Sequence, residues 1–132
     1  MGRRPTLSRA EIEIARVLWR LGEATVRDVY EALPPGRKID FTTAQTYLRR
    51  LEAKGYVRAS LVGRTRVYAA KVKPKTVIRE TVDDMVQRLF DGHALPLVEH
   101  LIEDGGIGPA EITQLRELLD RLEEEGHDRT RG

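Results

Sequence analysis

Apolar residues recur at helical spacing through Ile12, Ile14, Ala15, Val17, Leu18 and Leu21, and the stretch opens on Ser8-x-x-Glu11. A serine followed three residues later by glutamate predicts a capping box, with Leu7 and Ile12 as the hydrophobic staple that fixes how the chain enters the helix. Gly22 is placed to stop this helix, and Trp19 is expected at the edge of its buried face. Thr25-x-x-Asp28 repeats the start signal for a shorter helix with Val26, Val29, Tyr30 and Leu33 inward, ended by Pro34-Pro35-Gly36. Residues 22–25 leave room for a short strand between the two. A loop with Arg37 and Lys38 leads to Thr42-x-x-Gln45, a third expected capping box, and to a helix with Ala44, Tyr47 or Leu48, and Leu51 inward and Gly55 at its end. The period then changes. Residues 56–61 and 66–70 carry β-branched and aromatic side chains around Val62-Gly63-Arg64-Thr65, which predicts an antiparallel hairpin.

Lys71-Val72-Lys73-Pro74-Lys75 reads as a hinge, because proline disfavours helix just before it and three lysines favour solvent. Beyond it the pattern is wholly helical. Ile78, Val82, Met85 and Leu89 form a stripe that Val86 and Phe90 broaden. Pro96 suits the first turn of a helix carrying Leu97, Val98, Leu101 and Ile102; Gly105-Gly106 end it, and Gly108-Pro109 open a last helix with Ile112, Leu115, Leu119 and Leu122. Residues 123–132 are expected to fray. The fold class is therefore mainly α (α+β). Residues 1–75 follow the order of a winged helix-turn-helix, residues 76–125 form a helical domain, and residues 126–132 are a disordered tail.

Charge sharpens this division. The whole chain is only +2, but residues 1–75 hold 17 Lys and Arg against 7 Asp and Glu, a balance of +10, while residues 76–132 hold 6 against 14, a balance of −8. A basic front and an acidic back suit a polyanion-binding domain joined to one with another task. With 132 residues, 40% hydrophobic but only 5% aromatic, aliphatic side chains must build the core. The absence of cysteine removes disulfides and thiolate metal sites. No apolar run approaches the roughly 18 residues of a membrane span, and Met1-Gly2-Arg3-Arg4-Pro5 lacks the apolar core of a secretory signal, so a cytoplasmic protein is expected.

The third helix carries the most pointed chemistry. Thr42, Thr43, Gln45 and Thr46 put short hydroxyl and amide groups on its first turns, and Arg49 and Arg50 follow. A groove-docked helix meets base edges with such side chains: Gln suits adenine, threonine methyls suit thymine, and Arg suits guanine or phosphate. Arg64 and Arg66 on the hairpin are expected on phosphates or in a minor groove. The plainer alternatives are a capped surface helix and a solvated turn. Tyr47 and Tyr56 could stack on bases, but their apolar neighbours place them in the core. His100 with Glu99, Glu103 and Asp104 is the one conceivable metal cluster, and it reads as the wet face of a helix, so no metal or cofactor is expected. No catalytic triad spacing or glycine-rich phosphate loop occurs, so no enzyme is expected. The stripes formed by Ile78, Val82, Met85, Leu89, Leu97, Leu101, Ile112, Leu115, Leu119 and Leu122 are too wide for solvent and the helices too few for a core, which predicts a homodimer. Two-fold symmetry would space two recognition helices by one duplex turn, about 34 to 36 Å. A non-specific nucleoid-associated binder and a winged-helix protein-interaction module are the competing functions.

Leu7-Ser8-x-x-Glu11 with Leu18-Trp19, then Thr42-Thr43-x-x-Thr46, Arg50-Leu51-x-x-Lys54-Gly55 and Arg66-x-Tyr68, resemble the penicillinase-repressor family of bacterial transcription factors over about residues 7–122. Phe90-Asp91-Gly92 and the following helices resemble that family's dimerisation region. The resemblance implies a dimeric winged-helix repressor on a palindromic DNA operator, with a sensor protease or another inducer as a further partner. The family's best-known members are cleaved in the dimerisation region at an Asn-Phe bond. Here the corresponding place reads Leu97-Val98-Glu99-His100-Leu101-Ile102, and the chain has no asparagine. A copper-responsive branch senses through a C-terminal cysteine cluster, which this chain lacks.

Overall fold

In a computed structural model that describes residues 4–36 and 39–131, with backbone alone for 127–131, helix α1 (Arg9–Leu21) begins at a complete capping box. The Glu11 backbone N–H donates to the Ser8 hydroxyl at 3.2 Å, and the Ser8 N–H donates to the Glu11 carboxylate at 2.7 Å. Gly22, at φ 83°, ends the helix by donating its N–H to the Leu18 carbonyl. Strand β1 (Glu23–Ala24) follows, and Thr25 and Asp28 form a second capping box for α2 (Val26–Glu31). The basic residues Arg37 and Lys38 lie outside the described residues. Helix α3 (Phe41–Ala53), the hairpin strands β2 (Val57–Val62) and β3 (Thr65–Ala70), and the helices α4 (Pro74–Phe90), α5 (Ala94–Glu103) and α6 (Pro109–Arg131) complete the order.

The three strands form one antiparallel sheet in the order β1-β3-β2. Glu23 pairs with Ala69, and the hairpin closes on Val62 opposite Thr65. The two-residue loop Gly63-Arg64 has Gly63 at φ 66°, the positive value that the first loop position of a II′ turn demands and that glycine adopts without strain. Ile14, Leu18, Val29, Leu48, Leu51 and Tyr68 interlock beneath this sheet as the core. The Tyr68 hydroxyl has no hydrogen-bond partner among the described residues, an uncommon condition for a group fully removed from solvent.

The chain divides into Met1–Val82 and Asp83–Gly132, so the boundary does not fall at the hinge expected over residues 71–75. The reason lies in two valines. Val72 and Val77 are buried in the first core, and the N–H groups of Lys71 and Val72 both reach the Tyr56 carbonyl, at 2.9 and 3.4 Å. Lysines exposed on a segment do not make it a hinge when the residues between them are anchored. The opening turns of α4 thus complete the winged unit.

Other expectations need correction. Thr42 is not an N-cap: the cap is extended Asp40, two residues earlier, so that α3 opens at Phe41, with the Asp40 carbonyl accepting the Ala44 N–H at 3.0 Å and its side chain making no capping bond. Tyr30 and Leu21, expected inward, are exposed. The backbone of α6 continues as helix through Arg131 rather than giving way to disorder at residue 126; the three glutamates before Gly126 are good helix formers, and one glycine does not stop the run. Among the described residues of the second unit only Val86 is buried, whereas Leu89, Leu95, Leu101, Ile102, Leu118, Leu119 and Leu122 are exposed. This unit covers little of its own apolar surface.

Candidate nucleic-acid interface

Helix α3 is sorted around its axis by side-chain chemistry. At about 100° per residue, Thr42, Thr46 and Arg49 fall within an arc of about 60°, with Arg50 beside them. All four are exposed, while Ala44, Leu48 and Leu51 occupy the opposite side and are fully buried. Thr43 and Gln45 flank the exposed arc and are half-buried. The apolar stripe pins the helix to the core, and polar groups therefore project from the other side.

Two details define what this face offers. The Thr46 hydroxyl donates to the Thr42 carbonyl at 3.0 Å, so its proton is engaged within the helix and the residue presents a methyl group and an acceptor oxygen outward. The Arg50 guanidinium lies 5.6 Å from the Tyr47 ring centroid, which steadies a long cation beside the exposed arc. Tyr47 itself is half-buried against the core and Tyr56 is buried, in keeping with a packing role for both.

The far end of α3 is held firmly. Lys54 caps it, and Gly55 at φ 88° lets the N–H groups of Gly55 and Tyr56 return to the carbonyls of Glu52 and Leu51, both at 3.0 Å, a Schellman arrangement. The Lys54 ammonium reaches back across the fold to the Glu11 carboxylate at 2.7 Å and to the Thr6 carbonyl at 2.9 Å. Glu11 is only 1% exposed. Burial pushes its carboxyl pKa up, but the Lys54 ammonium and the backbone N–H and hydroxyl of Ser8 outweigh burial and hold it below its ordinary value. Glu11 was recognisable in the sequence as a capping residue; nothing in its spacing revealed that it also braces α3.

The N-terminal segment is strapped down nearby. Arg4 meets both carboxylate oxygens of Glu80 at 2.9 and 3.0 Å and lies 5.9 Å from the Tyr56 ring centroid, and the Tyr56 hydroxyl donates to the Pro5 carbonyl at 2.8 Å.

On the hairpin, Arg64 sits exposed at the turn. Arg66, also exposed, is 3.4 Å from Glu52 of α3, so its charge is partly answered within the protein. Further groups here escaped the sequence reading. Arg58 is exposed on β2; Arg27 of α2 stands 5.1 Å over the Phe41 ring, which Tyr30 meets edge-on at 5.7 Å. Among the described residues no group of His, Asp and Glu is arranged to hold a metal ion, and His100 instead lies 3.2 Å from Asp104. No helix among the described residues is long and apolar enough to cross a membrane.

Comparison with known proteins adds to this geometry. The sequence model of the family described as penicillinase repressor matches residues 7–121. A penicillinase repressor from Bacillus licheniformis is 26% identical over 116 residues, covering 88% of this chain and 91% of the relative. The methicillin resistance regulatory protein MecI from Mammaliicoccus sciuri is 23% identical over 115 residues, covering 87% of this chain and 94% of the relative. The solution structure of the DNA-binding domain of the repressor BlaI is 30% identical, with a TM-score of 0.49, over 56% of this chain and 90% of that domain.

Proposed function

Because the chain belongs to the penicillinase repressor family, whose members are DNA-binding transcriptional repressors, we propose that it acts as a homodimer on a palindromic operator and blocks transcription there. The observation that carries this reading is the partition of α3: a buried stripe of Ala44, Leu48 and Leu51 fixes the helix, and Thr42, Thr46, Arg49 and Arg50 are left to face a groove. Thr43 and Gln45 border that face and meet bases at its edges, while Arg64 and Arg66 meet phosphates from the hairpin. Apolar residues of α4, α5 and α6 that are exposed or half-buried support dimerisation, with Ile78, Val82, Met85, Leu89, Leu97, Leu101, Ile112, Leu115, Leu119 and Leu122 supplying the contact. To these we add Leu95, Ile102 and Leu118, exposed residues of the same kind. Action on an operator places the protein in the bacterial cytoplasm. Release by cleavage at an Asn-Phe bond has no substrate in a chain without asparagine, so the inducer acts at another bond or through another kind of contact.

The test is a binding measurement with a palindromic duplex and a scrambled duplex at two salt concentrations, paired with light scattering. A dimeric protein with a strong preference for the palindrome is expected, and Leu119→Asp should give monomers that bind the palindrome weakly, because an unpaired charge in the interface costs several kcal/mol, about 3 to 5. Equal affinity for both duplexes would instead identify a non-specific coating protein. No duplex affinity at all would leave a protein-interaction module.

A further inference from the structure

The tip of the hairpin holds a combination that phosphate binding does not require. Leu61 and Val62 are 68% and 65% exposed, side by side in sequence and next to the Gly63-Arg64 loop. Leu61 pairs across the ribbon with Arg66 and Val62 with Thr65, so one aliphatic side chain stands on each face of the tip. Residues 57–70 contain Arg58, Arg64 and Arg66 and no carboxylate. A bare apolar pair on a wholly cationic ribbon fits an anionic partner that carries apolar surface between its charges. The walls of a DNA minor groove, formed by deoxyribose C–H groups between two lines of phosphate, have that character.

We propose that Leu61 and Val62 form an apolar wedge seated against the sugar walls of the minor groove, while Arg64 and Arg66 meet the phosphates on either side. The proposal rests on the reading that the chain binds duplex DNA. Its contribution differs in kind from that of the arginines: apolar burial releases no counterions, so it strengthens binding without changing the salt dependence. It also carries little sequence information, because sugars are the same at every base pair.

A double variant, Leu61→Thr with Val62→Thr, tests the wedge. Threonine keeps the strand preference of the hairpin while exchanging one Val62 methyl for a hydroxyl and cutting the Leu61 isobutyl group back to a single methyl, and thermal unfolding verifies that the fold is retained. The expected result is a loss of about tenfold in affinity for palindromic and scrambled duplexes alike, with an unchanged slope of log affinity against log salt. Arg64→Ala, by contrast, should flatten that slope by about one unit. Leu61→Met, which preserves an apolar tip, should bind like the parent and covers the case in which the double variant folds poorly. Parent-like affinity in a folded double variant, or parent affinity lost in Leu61→Met, overturns the wedge while leaving duplex binding intact. A change in molecular mass on light scattering overturns it in favour of a contact between copies of the chain. A parent protein with no duplex affinity overturns both the wedge and the function it rests on.

Discussion

Lys54→Met isolates the brace between α1 and α3. In the parent, the Glu11 carboxylate is almost wholly removed from solvent and answered by Lys54 at 2.7 Å, while the Lys54 side chain keeps 25% of its surface exposed. Removing one partner of a fully buried pair costs about 3 to 5 kcal/mol. Residual solvent at Lys54 and the remaining Ser8 hydrogen bonds reduce that figure, so about 2 to 3 kcal/mol is expected at neutral pH. For a unit of this size the corresponding fall in Tm is on the order of 15 °C. Trp19, the single tryptophan, is half-buried against the core and gives a fluorescence signal for the transition.

The same variant makes a statement about pH. Glu11 is held below its ordinary pKa of 4.5, so its favourable contribution is complete above that value and disappears as pH falls through the lower folded value. Without Lys54, burial is less well opposed and the carboxyl protonates more readily. The gap in stability between parent and Lys54→Met should therefore be widest near pH 7 and narrow below pH 4.5. Combining Lys54→Met with Glu11→Gln, which removes the stranded charge, should recover part of the loss. A gap of less than about 0.5 kcal/mol at pH 7, or one that is the same at pH 4 and pH 7, would refute the brace.

Glu52→Gln releases Arg66 from its exposed ion pair, which is worth well under about 1 kcal/mol, and should raise affinity for every duplex about two- to fivefold at low salt; an unchanged affinity would place Arg66 away from the phosphates. Thr46→Val keeps the outward methyl and deletes a hydroxyl whose proton is engaged by the Thr42 carbonyl, so it should bind the palindrome within about twofold of the parent, whereas Thr46→Ala should cost about 1 kcal/mol or more; a greater loss in the valine variant would mean that the hydroxyl reads a base.

Local signals in the sequence located most of the elements because their causes are local. Ser8 with Glu11 and Thr25 with Asp28 form the capping boxes their spacing predicts, and the positive φ values at Gly22, Gly55 and Gly63 fall at the two helix ends and the hairpin turn where glycine was read as a stop or loop residue. At α3 the same rule failed. Thr42-x-x-Gln45 has the right spacing, yet Asp40, two residues earlier, is the cap, and because its side chain makes no capping bond it forms no capping box of the kind the spacing would reveal. The hinge failed for a related reason: solvent-seeking lysines at 71, 73 and 75 hide the fact that Val72 and Val77 belong to the interior. Of the interface, the residue types on α3 were legible. The Glu11 to Lys54 pair joins residues 43 positions apart, and the Arg27 to Phe41 contact joins separate helices, so neither leaves a periodic trace.

The anchoring of α3 is lopsided, and the imbalance suits its task. Its C-terminal end is fixed by the Schellman bonds at Gly55 and Tyr56, by the Lys54 contacts to Glu11 and Thr6, and by the buried Leu51. Its N-terminal end carries no side-chain cap, and Thr42 stands exposed there. Ordering a helix at the moment of binding would subtract from affinity, since each immobilised side chain costs about 0.5 to 1.5 kcal/mol. Fixing the helix from the end remote from Thr42 would remove part of that cost in advance while leaving Thr42 and Thr46 exposed to a groove. Under the proposed function, strength at Lys54 and openness at Asp40 are two parts of one arrangement: the helix would be held at the end that does not meet DNA.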